Sequence, residues 1–62
     1  MAFNWLRKTV YDIEYDFSYR LNREDEPVVD EIQIEGLSVE PDEKIISLLD
    51  DYLVETWLKG EL

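Results

Sequence analysis

Apolar and polar residues alternate almost without interruption along residues 9–21. The odd positions carry the apolar series Tyr11, Ile13, Tyr15, Phe17, Tyr19 and Leu21. The even positions carry Asp12, Glu14, Asp16, Ser18 and Arg20. Successive side chains of a strand point to opposite faces, whereas a helix would scatter these apolar residues around its axis. The pattern therefore predicts one strand over residues 9–21 with an aromatic face turned inward.

A second strand is predicted over residues 28–36. It follows a polar segment that ends in Pro27, which suits the start of a strand because it has no amide hydrogen to give to the ladder. The inward positions are Val28, Ile32 and Ile34, and the outward positions are Glu31, Gln33 and Glu35. Asp30 falls on the inward side, so either a β-bulge near Val29 and Asp30 restores the pattern or Asp30 lies beyond the paired region. The short connection predicts an antiparallel hairpin.

An amphipathic helix is predicted over residues 41–59. Pro41 suits the first helical position, where its missing amide hydrogen costs no bond, and Gly60 suits the stop. Acidic residues at the start meet the positive end of the helix dipole. With a rotation of about 100° per residue, one face collects the inward residues Ile45, Leu48, Leu49, Tyr52, Leu53 and Thr56, flanked by Ile46 and Trp57.

The predicted fold is α+β, a single domain over residues 1–62 in which the aromatic side of the hairpin packs on the helix in two layers. A chain of this length buries only about 60% of the surface that its unfolded form exposes, and it has no cysteine for a disulfide. A two-stranded hairpin also leaves two unpaired edges. Pairing of an edge with a second copy, or with the sheet of a target, is one route by which the core would be completed.

Residues 1–8 receive no predicted element. Phe3, Trp5 and Leu6 are too apolar for a free tail. They either extend the first strand, form a short turn against the helix, or contact a partner.

The charge of the chain is strongly negative, with sixteen acidic and six basic residues and a formal net charge of −10. Direct binding of nucleic acid through a basic patch is therefore not expected. Carboxylates collect on the outward face of the predicted hairpin, namely Asp12, Glu14, Asp16, Glu31 and Glu35, with Asp50 and Asp51 of the helix in support. The charge either keeps a small, aromatic-rich domain in solution or binds a basic surface. Alternate strand residues lie about 6.6 Å apart, comparable to successive phosphates, so such a face would suit a groove built for DNA.

No catalytic, cofactor or metal site is predicted. The chain contains neither cysteine nor histidine, which removes thiolate metal sites, the commonest metal ligand and the usual general base. The series Asp12-x-Glu14-x-Asp16 looks like the start of a calcium loop, but Phe17 stands where that loop needs glycine and Arg23 where it needs glutamate. We therefore expect a protein that is not an enzyme.

A membrane span is not predicted, because the longest apolar runs are only a few residues. Arg7 and Lys8 follow the apolar start instead of preceding a long apolar stretch, so no secretory signal is visible. The expected location is the cytoplasm.

A second candidate surface lies near the end of the helix, where Val54 and Leu58 fall on the polar side and Trp57 at its boundary. Three apolar residues close together form either a docking patch or a dimer seam.

The whole layout resembles the small acidic strand–strand–helix proteins of tailed bacteriophages. The resemblance rests on VYDIEYDFSYRL, an acidic turn with Pro27, and DEIQIEGLSVEPDEKIISLLDDYLVETWL. It implies a viral accessory role, such as inhibition of a nucleic-acid-binding protein of the host, in several cases by imitation of DNA. The leading hypothesis is therefore an inhibitor that binds a basic surface of a host protein. The alternative is a structural or adaptor protein that acts through strand edges and the apolar helix patch.

Overall fold

The computed structural model describes residues 5–62 and contains one antiparallel sheet followed by one C-terminal helix. The sheet strands are β1 (Trp5–Val10), β2 (Ile13–Leu21), β3 (Pro27–Ile34) and β4 (Leu37–Ser38), and the helix is α1 (Glu43–Leu58). Each strand pairs with its neighbour in the chain, in the order β1-β2-β3-β4. The predicted α+β fold in two layers is confirmed, but the described part of the sheet has four strands where the pattern predicted two.

The predicted strand over residues 9–21 is wrong at its start. Tyr11 and Asp12 form a two-residue turn in which both φ angles are positive, at 50° and 65°. Val10 therefore pairs with Ile13, and the chain before the turn forms β1. Trp5 and Leu6 lie in this strand, while Phe3 is outside the described residues.

The second predicted strand, residues 28–36, also ends in a tight turn. Glu35 and Gly36 have φ angles of 51° and 83°, the positive values that a type I′ hairpin turn requires at both positions. Ile34 pairs with Leu37 across this turn, which creates the short strand β4. Asn22 closes the longer connection between β2 and β3, since its side-chain Oδ1 accepts hydrogen bonds from the backbone N–H groups of Glu24 and Glu26 at 2.8 and 3.0 Å.

The β-bulge, one of two alternatives left open by the sequence, is present in β3. Phe17 pairs with Ile32 and Tyr19 with Val29, so Asp30 and Glu31 together face Ser18. The Ser18 hydroxyl accepts a hydrogen bond from the Glu31 backbone N–H at 3.2 Å. The extra residue turns Asp30 away from the core and leaves it exposed.

The helix starts two residues later than predicted, because Asp42 supplies its N-cap, and Pro41 therefore lies before the helix and not at its first position. The Oδ1 atom of Asp42 accepts a hydrogen bond from the backbone N–H of Ile45 at 3.1 Å. The predicted stop at Gly60 is confirmed. Gly60 has a φ of 72°, and the N–H groups of Gly60 and Glu61 bond the carbonyls of Trp57 and Thr56 at 3.0 and 3.1 Å, which is a Schellman motif.

The core lies between the helix and one face of the sheet. Phe17, Leu49 and Leu53 are completely buried, and burial of each contributes about 1.5–3 kcal/mol. Val10, Tyr15, Ile32 and Ile45 complete the buried cluster. We call the opposite face of the sheet, which carries Arg7, Glu14 and Asp16, the outer face. Its charged side chains therefore point away from the helix.

Candidate interaction surfaces

The two tight turns bring two of the predicted carboxylates to one end of the sheet. In an up-and-down sheet of this order, the β1–β2 and β3–β4 turns lie at the same end. Asp12 belongs to the first turn and Glu35 to the second, and both are exposed. The sequence pattern predicted that both residues project from strands. In the structure each occupies a turn position with a positive φ angle instead.

Glu14 and Asp16 lie on the outer face of β2, as predicted, and they share one cation. The Nε atom of Arg7 is 3.0 Å from Glu14 Oε1 and 2.8 Å from Asp16 Oδ1. The hydrogen bond with Asp16 raises the pKa of Arg7, with further attraction from the Asp16 and Glu14 charges. The sequence could not supply this pairing, because Arg7 lay in a segment with no predicted element.

These residues surround one shallow concavity. The residues that line it are Asp12, Glu14, Asp16 and Glu35, together with Arg7, Ile13 and Ile34. We call this set the acidic end. Four acidic residues against one arginine leave an excess of negative charge at this open surface.

The other predicted acidic residues do not join the acidic end. Glu31 lies on the outer face further along β3, and its Oε1 accepts a hydrogen bond from the Ser38 hydroxyl at 2.7 Å. Asp50 and Asp51 belong to α1, which covers the opposite face of the sheet. The five carboxylates predicted on the outward face of the hairpin are therefore not all brought together, and the two helix residues predicted in their support lie on the other side of the sheet.

A second cation reduces the charge of the outer face further. Arg20 Nε lies 3.6 Å from Asp30 Oδ1, and both side chains are exposed. The outer face is thus mixed in charge along its length, and the negative excess is concentrated at the turns. Exposed ion pairs of this kind contribute only about 0–1 kcal/mol to folding.

The apolar patch predicted at the end of the helix is exposed. Val54 is 39%, Trp57 37% and Leu58 74% accessible. The structure adds residues that the sequence pattern did not connect with this patch, since Trp57 lines a groove together with Tyr19, Arg20, Leu21 and Leu62. Leu21 and Leu62 are exposed as well. Leu21 was assigned to the inward face, but it lies at the last position of β2, where the strand reaches the surface.

No protein-family model matches this chain, and no match was found among curated proteins or solved structures. Across residues 5–62, no group of three or more histidine, cysteine or acidic side chains is arranged to hold a metal ion. The described part of the chain also has no helix of sufficient length and apolar character to cross a membrane.

Proposed function

We propose that this protein is a non-enzymatic interaction module whose acidic end binds a basic surface of another protein. The observation that supports the proposal most directly is the convergence of four acidic residues from two turns and one strand around a shallow concavity. A basic side chain that entered it would meet several carboxylates, which attract its positive charge.

A nucleic-acid-binding protein would suit the acidic end as a partner, because such proteins carry clusters of lysine and arginine. Charge would steer the encounter, and the bound module would then compete with nucleic acid for the same basic groups. An inhibitor of phage type that meets a host protein in the cytoplasm is the form of this function that we favour. The support is charge and concavity, rather than a row with the spacing of phosphates, because Asp12 lies in a turn and Arg7 joins Glu14 to Asp16.

A charge-matched pair of variants tests this proposal. The acidic-end variant carries Asp12→Asn, Glu14→Gln, Asp16→Asn and Glu35→Gln. The control variant carries Glu24→Gln, Asp25→Asn, Asp51→Asn and Glu61→Gln, which are exposed positions elsewhere. Both variants lose four negative charges, so a difference between them reports the location of the charge and not its total.

The immobilised variants would be exposed to bacterial lysate, and captured proteins identified by mass spectrometry. The wild type and the control variant should retain the same basic nucleic-acid-binding protein, and the acidic-end variant should lose it. An ionic strength of about 1 M, where the Debye length is only about 3 Å, should release that protein. Equal capture by both variants would eliminate the acidic end as the binding surface.

An adaptor function through the apolar helix patch is the second candidate, because Val54, Trp57 and Leu58 are exposed together. Binding through this patch would resist high salt and would be abolished by Leu58→Asp. The same capture experiment separates the two functions, since each predicts the opposite response to salt.

A further inference from the structure

Strand β1 forms an open edge of the sheet. Within residues 5–62, no strand pairs with the edge of β1 that faces away from β2. Val10 and Ile13 flank a two-residue turn, so these two residues exchange backbone hydrogen bonds. Because the bonding direction alternates along a strand, the N–H and C=O groups of Leu6 and Lys8 also point to β2. The backbone groups of Trp5, Arg7 and Thr9 therefore point away from the sheet.

The opposite edge of the sheet is protected, and β1 is not. The extra residue of the bulge and Pro27 interrupt the edge of β3 that faces away from β2. The remaining part of this edge pairs with β4, and the Val39 N–H donates a hydrogen bond to the Ile32 carbonyl at 2.9 Å. By contrast, β1 pairs with β2 in an unbroken register and contains neither proline nor a bulge.

The two charged side chains of β1 do not protect its edge against pairing with another strand either. Arg7 is held by Glu14 and Asp16 of β2. The Nζ atom of Lys8 lies 4.9 Å from the centre of the Tyr52 ring, on the helix side of the sheet. Both charges are thus engaged by neighbours within the same chain.

We propose that two copies of this chain pair through their β1 strands in antiparallel orientation and form one continuous sheet. The strand is complementary to itself when Leu6 lies opposite Leu6 of the second copy. In that register Trp5 lies opposite Arg7 of the second copy, and both project from the outer face. The indole of Trp5, which is 39% accessible, then stacks on a guanidinium plane.

Two other symmetric registers, centred on Arg7 and on Lys8, are less favourable. One places Arg7 opposite Arg7 and another places Lys8 opposite Lys8, and like charges directly opposite destabilise a strand pair. In the Leu6 register the two Lys8 residues are about 13 Å apart along the strands, which exceeds the Debye length of about 8 Å at physiological ionic strength.

The charge of the chain also favours this edge for a second copy. Residues 5–10 contain no acidic side chain, although the whole chain has a net charge of −10. Two acidic chains that approach through β1 therefore bring a segment without carboxylates to the seam.

A pair of charge variants at Trp5 tests the interface by sedimentation equilibrium over a range of concentrations. The wild type should approach twice the 7.5 kDa mass of one chain as concentration rises. Trp5→Lys places a cation opposite Arg7 and should keep the protein monomeric. Trp5→Glu removes the same indole but places an anion there, so the dimer should persist. A wild type that stays monomeric, or a dimer equally stable in both variants, would overturn the proposal.

A disulfide test fixes the register, because the chain has no cysteine of its own. Leu6 would form a non-hydrogen-bonded pair with Leu6 of the second copy, with Cα atoms about 4.5 Å apart, which suits a disulfide. Under mild oxidation, Leu6→Cys should give a covalent dimer in high yield and Lys8→Cys should give little. The reverse order of yields would exclude this register, and equal yields would indicate random collision.

Discussion

The β1–β2 turn stores backbone strain that can be removed by substitution. Tyr11 and Asp12 adopt φ angles of 50° and 65°, where Asn-Gly is the preferred sequence. An L side chain in this region approaches the following carbonyl oxygen and costs about 1–2 kcal/mol, and Asp tolerates it better than a bulky residue such as Tyr. Tyr11 is 75% exposed, so its ring gains little from burial in return.

We expect the double variant Tyr11→Asn, Asp12→Gly to raise the free energy of unfolding by about 1 kcal/mol. Relief of strain contributes about 1–2 kcal/mol, and the extra freedom of glycine in the unfolded chain offsets about 0.5–1 kcal/mol. The entropy of unfolding is about 2.1 cal/mol/K per residue, or about 130 cal/mol/K for this chain, so the Tm should rise by about 8 °C.

Urea and thermal unfolding followed by circular dichroism measure this change, at a low protein concentration so that association contributes little. Tyr11→Ala is the control, because it removes the same ring but keeps an ordinary L residue at a positive φ angle. It should leave the Tm nearly unchanged. If Tyr11→Ala is strongly destabilising and the double variant gives no increase, then ring packing and not backbone strain determines the energy of the turn.

Three further predictions concern the helix and the β2–β3 connection. Asp42→Ala should lower the free energy of unfolding by about 1 kcal/mol through loss of the N-cap bond, whereas Asp42→Asn should retain most of it in urea titrations. Leu49→Ala should lower the free energy of unfolding by about 2–5 kcal/mol, and Leu48→Ala, at the adjacent exposed position, by less than about 0.5 kcal/mol. Equal losses in the two variants would contradict the burial of Leu49 in the core. A hydrogen bond with Glu24, together with the negative charge of Glu24, raises the pKa of Glu26. The pair therefore stabilises the fold at low pH, and this contribution is lost as the pH rises through the pKa of Glu26 in the folded protein. Glu24→Gln should flatten the decline of Tm with pH, and an unaltered pH profile would show that the two carboxyls do not interact.

The sequence pattern predicted the elements that have one buried face. Phe17 and Tyr15 on β2, and Leu49 and Leu53 on α1, were assigned to the core from periodicity and are buried there. Their spacing follows directly from strand and helix geometry, so no tertiary information was needed. Gly60 was likewise identified because few other residues adopt a positive φ angle without cost.

The strand β1 was missed for two physical reasons. Tyr11-Asp12 lacks the asparagine and glycine that usually mark a two-residue turn, so the alternation seemed to continue through it. Lys8 also occupies a position on the helix side of β1, where the pattern of a half-buried strand calls for an apolar residue. The acidic end could not be predicted without this turn, because the turn determines the position of Asp12 and places Arg7 beside Asp16.

The order of the strands in the sheet has a consequence for folding kinetics. Each strand pairs with the one that precedes it in the chain, across connections of which two are tight turns. Such contacts are close in sequence, and a low contact order allows a chain to search few conformations before its structure forms. The contact between elements furthest apart in the chain is the packing of α1 against β1. Folding of the sheet should therefore be fast for a β-rich protein, and docking of the helix should complete it.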